Sequence, residues 1–256
     1  MWQTFTQLLS RDMTIFRREY RTKLFDTAFI LFTNVVVFAY FLPIFGASAS
    51  LGPFILVSAI TTFGLFDIIG KVSVRLADIE GPQAIAYTLN LPIHPNAVFG
   101  YIGLSWSIEP FLISLPLFPV GKILLWNHFS LAAIHYPKML IMLTAACLFY
   151  GFFSLWLVGI MKGMSNLSHL FIRVINPLFM FGAYFYPWQA AYDLSPIIGY
   201  LSLLNPLVYI NEGMHAAVLG PQGHLPFWFS FGTIWLFTAA CALDAIRRLR
   251  KRLDCI

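Results

Sequence analysis

Charge is what this chain has least of. Only 11% of its 256 residues are Asp, Glu, Lys or Arg, against 59% hydrophobic and 17% aromatic. Soluble domains carry about 25% charged residues. A soluble fold of this length would expose large apolar patches, which excludes a soluble enzyme or binding module. Cysteine is scarce as well. Cys147, Cys241 and Cys255 are too scattered for a disulfide framework or a metal cluster, and are expected to be packing residues. No GxxxxGK[ST] phosphate loop occurs, so no ATP is expected to bind this chain. The histidines are His94, His128, His135, His169, His215 and His224, and none forms an HxxxH or HExxH pair. No metal and no cofactor is therefore expected. The first residues are basic and amphipathic, without a short apolar run and small-residue cleavage site, so no cleaved signal is expected.

What the chain does have is long apolar stretches. A crossing needs about 20 apolar residues. Candidates are 24–45, 51–69, 97–120, 139–160, 170–186 and 225–243. The fold class is an all-α integral membrane protein with six transmembrane helices, one membrane domain over 24–256. The net charge of +5 does not point to nucleic acid, because the basic residues cluster at 11–23 and 247–252 beside apolar runs. Such clusters set orientation and touch anionic lipid. With six crossings, only Lys122 and Lys138 of the 16 Lys and Arg fall on the far side. Both termini are therefore expected in the cytoplasm.

Three segments are not crossings. Residues 1–23 place Trp2, Phe5, Leu8, Leu9, Phe16 and Tyr20 at helical spacing among basic residues. This predicts an N-terminal amphipathic interface helix on the inner leaflet, the alternative being the opening of a longer first span. The loop 78–95 opens with acidic residues and Gly81-Pro82, which suits a short cytoplasmic helix ending before Pro92 and Pro95. Residues 187–224 are apolar but cut by Pro187, Pro196, Gly199, Pro206, Gly220, Pro221 and Gly223. The unbroken pieces are too short to cross, so an outer re-entrant helix pair is expected before the last span.

A few polar residues sit where they are costly. Glu109 falls near the middle of the third span, just before Pro110. A carboxylate there costs about 2.5–3.5 kcal/mol on insertion scales. It reads either as a pathway or dimer-interface residue or as a carboxyl bonded to a neighbouring span. Asp67, Lys71 and Arg75 follow one another at spacings of four on one helix face, and Asp67 with Lys71 reads as a structural pair. Glu212 and His215, three apart, are candidates to pair and shape an outer exit. The Tyr and Trp near both faces, Trp156 and Trp188 among them, read as an interfacial belt or as stacking surfaces for a substrate.

Asn176-Pro177-Leu178 with Gly182 and Phe185-Tyr186-Pro187, then Asn205-Pro206-Leu207-Val208-Tyr209, stand in an order that resembles the permease subunit of type-2 ATP-binding-cassette (ABC-2) exporters. Glu80, Leu89 and Pro92 resemble that family's coupling segment. The resemblance covers essentially the whole chain. It implies a half-transporter: two permease chains, expected as a homodimer, driven by two copies of a separate ABC ATPase subunit that binds ATP and Mg. It implies that Glu80, Gln83, Tyr87 and Asn90 couple the permease to the ATPase through a short helix in the 78–95 loop. Glu109, Glu212 and His215 remain pathway or interface candidates. The expected function is export of an amphipathic substrate, such as a lipid-linked glycan, a lipid or a drug-like molecule, across a bacterial cytoplasmic membrane. The alternatives are a membrane-embedded lipid-modifying enzyme and a non-transporting accessory subunit.

Overall fold

The computed structural model describes residues 2–46, 48, 50–81, 85, 94–126 and 129–253. Every regular element among them is helical. Helix α1 spans Trp2–Val35 and continues through a π-helical turn, Val36–Phe41, into Leu42–Ile44. Helix α2 is Leu51–Glu80, α3 is Pro95–Leu124 and α4 is Tyr136–Ile160. A fifth segment, α5, joins Leu167–Leu170, a π turn Phe171–Ile175 and Asn176–Met180. Three short helices follow: α6 Trp188–Leu194, α7 Pro196–Ser202 and α8 Pro206–Val218. Helix α9, Phe227–Leu253, ends the described chain.

Among the described residues five helices are long and apolar enough to cross a membrane, where the sequence pattern predicts six. The missing one is the fifth stretch. Its pieces are 4, 5 and 5 residues long. Beyond Met180 the chain turns, with Ala183 at φ 54°. Gly182 lies against Leu207, so the chain bends there to seat α8 instead of running on. The outer segment also differs, with three short helices rather than two, because Ser195-Pro196 ends α6 and starts α7.

The N-terminal segment does not form a separate interface helix. It runs unbroken into the first long helix, since no Pro or Gly occurs before Pro43. Several of its apolar residues are covered by protein, while Ile15 stays exposed. Phe5, Leu8, Leu9 and Tyr20 pack on the core, Phe16 is buried, and Tyr101 of α3 donates its hydroxyl hydrogen bond to the Leu8 carbonyl. Asp12 contacts the same hydroxyl.

Helix α4 is the centre of the bundle. Met142, Leu143, Ala146, Tyr150, Leu155 and Val158 are almost fully buried along it. The approach of α4 to α3 is close enough that a Cβ at Gly151 would overlap the Gly103 carbonyl and the Ser107 hydroxyl. We expect Gly151→Ala to lower stability by about 1–3 kcal/mol through overpacking. Thermal unfolding of the purified protein in detergent checks this, and an unchanged midpoint would refute the close packing.

Candidate functional site

All 13 residues of α8 are buried, although the helix is too short to cross a bilayer. Polar side chains hold it in place. Asn205 caps it: the side-chain oxygen accepts from the Leu207 N–H at 2.9 Å, while Nδ2 donates to the Leu178 carbonyl of α5 at 2.8 Å. Pro206 then takes the first helical position, where no backbone donor is missed. Asn211 donates to the Gly182 carbonyl at 2.7 Å and accepts from the Thr62 hydroxyl of α2 at 3.1 Å. One asparagine thus ties α8 to the end of α5, and the next ties it to both sides of its groove.

Glu212 and His215 are each fully buried, but they are not a hydrogen-bonded pair. Glu212 accepts from the Trp188 N–H at 2.8 Å and the Leu225 N–H at 2.9 Å. Its Oε2 lies 3.3 Å from Nδ1 of His224, a partner the spacing of residues did not point to. The Nε2 of His215 instead lies 2.9 Å from Ser58 Oγ and 3.2 Å from the Phe54 carbonyl. Its ring stacks on Phe54 at 3.9 Å. Ser58 and His215 have the contact of a nucleophile and its base. Both are sealed inside the protein, and Nδ1 of His215 has no hydrogen-bond partner among the described residues, so no third group there orients the ring as a base.

Glu109 lies among lysines. Its Oε2 is 3.4 Å from Lys23 Nζ of α1 and 3.9 Å from Lys71 Nζ of α2. Lys71 also bonds Asp67 at 2.6 Å, as the spacing of four predicts, and donates to the Trp106 carbonyl at 2.6 Å. Glu109 is therefore level with two lysines instead of alone in an apolar slab. Apolar composition marks only part of each helix, and α1, α2 and α3 all run well past that level. Arg75 pairs with Asp78 at 3.2 Å. Glu80 ends α2 and accepts from the Met164 N–H at 3.1 Å, joining the end of α2 to the turn before α5. Gln83, Tyr87 and Asn90, with most of the 78–95 loop, lie outside the described residues.

A cleft of about 570 Å³ opens between α4, α5, α9 and the α7–α8 connection. Phe149, Phe153 and Trp156 form one wall, Val174, Pro177 and Leu178 another, and Phe237 and Cys241 a third. Arg173 is the one charged residue lining it. The Arg173 side chain is exposed and makes no ion pair with a described residue. Leu201 and Leu204 at the rim are also exposed, at 61% and 74%.

No family model matches this chain. No curated protein and no solved structure gives a significant match either.

The cleft can hold a mostly apolar molecule and set one guanidinium against an anionic group. Ligand sites typically measure about 300–1,000 Å³ with apolar walls and few polar groups, which this cleft satisfies. The sequence pattern used Arg173 only as an orientation charge, and read Trp156 as a belt residue or a stacking surface. Nothing in the residue spacing brings the two together, because α4 and α5 meet only in the tertiary fold.

Proposed function

We propose that this chain is the transmembrane permease subunit of an ATP-driven ABC-2 exporter. It moves an amphipathic substrate, a lipid-linked glycan, a lipid or a drug-like molecule, outward across a bacterial cytoplasmic membrane. The observation that carries this reading is the cleft: an apolar wall for a chain or ring system, with Arg173 at its side for an anionic head group. The motifs Asn176-Pro177-Leu178 and Asn205-Pro206-Leu207 support it, since they lie where α5 and α8 are fastened together.

In this reading the chain crosses six times, with α5 and the turn after it as a short fifth passage. The α6–α8 segment is re-entrant from the outer side, and both termini are cytoplasmic. Short helices at membrane depth are tolerated where protein surrounds them, as it surrounds α8. The loop 78–95 is the coupling helix on which a separate ATPase pushes, with Glu80, Gln83, Tyr87 and Asn90 at the contact. Two ATPase copies and a second permease chain complete the machine. The exposed aromatic and aliphatic side chains of α1, such as Phe25, Phe29 and Ile30, then face lipid or that second chain.

Affinity purification of the full chain in mild detergent tests the proposal. A copurifying chain with a phosphate loop is expected. In the reconstituted complex, Arg173→Glu should lower substrate-stimulated ATP hydrolysis several-fold, while Arg173→Lys retains most of it. Activity of the purified chain with no ATP-hydrolysing companion would overturn the proposal.

A further inference from the structure

We propose that Glu212, His215 and His224 form a binding site for a divalent transition-metal ion, with Zn²⁺ the best suited, that clamps the chain after α8 onto the buried helix. One ligand atom from each of the three residues lies within 4.8 Å of the others. This is independent of whether the chain exports anything.

The state of His215 is the first argument. The Phe54 carbonyl can only accept, so Nε2, 3.2 Å away, carries the proton. The lone pair is then on Nδ1, and Nδ1 is buried without any hydrogen-bond partner. An orphaned buried acceptor asks for an explanation. A metal ion supplies one, because histidine ligands bind through one nitrogen while the other donates to a backbone carbonyl.

The second argument is the spacing between Glu212 and His224. Their contact of 3.3 Å is long for a charge-assisted hydrogen bond, which runs about 2.7–2.9 Å. It matches the separation of two ligands on a tetrahedral zinc, about 3.3 Å for bonds of about 2.0–2.1 Å. The most distant pair of ligand atoms needs a shift of at most about 1.5 Å to reach the same spacing. The Glu212 carboxylate is already oriented by the Trp188 and Leu225 N–H groups, as ligating carboxylates are. His224 comes to the site from the connection to α9, beside Gly223 at φ 77°.

The donor set selects the ion. Two imidazole nitrogens and one carboxylate oxygen suit Zn²⁺ over Ca²⁺ or Mg²⁺, which prefer all-oxygen shells. The ligands come in two pieces, the helical Glu-x-x-His of α8 and a histidine from the loop after it. That is why no HExxH or HxxxH spacing marks the site in sequence.

The test uses the full chain in detergent, purified through a tag without histidine and stripped with EDTA. It is incubated with ZnCl₂, desalted, and its metal is counted by mass spectrometry. Zinc should be retained at one ion per chain, and Co²⁺ in its place should show the intense visible bands of a tetrahedral site. His224→Ala and Glu212→Gln should each weaken zinc binding at least tenfold, while His169→Ala, an exposed histidine elsewhere, should not. Failure of the wild-type chain to retain zinc or to give the cobalt bands would overturn the site and leave a plain Glu212–His224 ion pair. So would equal retention by the wild type and by folded His224→Ala protein. Because His224 is the least enclosed of the three, its variant is the one expected to fold normally.

Discussion

Replacing Lys71 by alanine is expected to lower the unfolding free energy by about 3 kcal/mol. The lysine lies between two carboxylates on two helices, Asp67 at 2.6 Å and Glu109 at 3.9 Å, and its side chain is only 9% exposed. Removing one member of a buried ion pair leaves the other charge uncompensated, at a cost of about 3–5 kcal/mol. The lower end applies here, because Asp67 and Glu109 each keep 22% of their side-chain surface. Lys23 would remain as the one cation near Glu109, at 3.4 Å. The double variant Lys71→Met with Asp67→Leu removes both charges of the tight pair, and should recover most of the loss. Guanidinium or thermal unfolding in detergent reads both. A single variant within about 0.5 kcal/mol of the parent would mean that water, not the network, solvates these groups.

Replacing Asn211 by leucine should cost about 2–5 kcal/mol. The substitution keeps size and apolar packing, but it strands the Gly182 carbonyl and the Thr62 hydroxyl, both inside the protein. Each stranded group carries about 1–3 kcal/mol of desolvation penalty. Thr62→Val alone should cost less, since it leaves only the Asn211 oxygen short of a donor. Adding Thr62→Val to Asn211→Leu should restore part of the loss, because one of the two stranded groups disappears. Hydrogen exchange along 206–218 gives a second readout: protection there should fall first if Asn211 is what seats α8. Equal stability of Asn211→Leu and the parent would refute the claim that the amide fastens this helix.

The legible parts of this molecule were those with a local cause. Long apolar runs announced all five long helices, α3 and α4 nearly at their ends, while α1 starts earlier at Trp2 and α2 and α9 run on to Glu80 and Leu253, and the Asp67–Lys71 pair follows from helical periodicity alone. Pro206 reads in the sequence as a break in the outer segment, and there the structure starts α8, capped by Asn205. Where the pattern misled, a neighbouring element had decided the matter. Residues 2–23 are amphipathic, and amphipathicity cannot distinguish a lipid surface from the flank of α3 that Phe5, Leu8 and Phe16 actually cover. The run 170–186 is apolar enough for a full helix, but Leu207 against Gly182 turns the chain early. Spacing put Glu212 with His215 because they share a helix face. The partner it found, His224, lies on a loop that only the return of the chain to α9 brings alongside.

By itself the sequence determined the class of solvent this chain needs. So little charge and so much apolar side chain leave no folded state that water could surround on all sides. It also determined where most helices begin, because caps, prolines and apolar period act within a few residues. Only the tertiary structure decided which of the costly polar groups face each other. Glu109 with its two lysines, Asn211 with Gly182 and Thr62, Glu212 with His224, and Arg173 beside an apolar cleft are all meetings between separate elements. Burial makes a polar group seek a partner, but it does not say from which helix the partner comes.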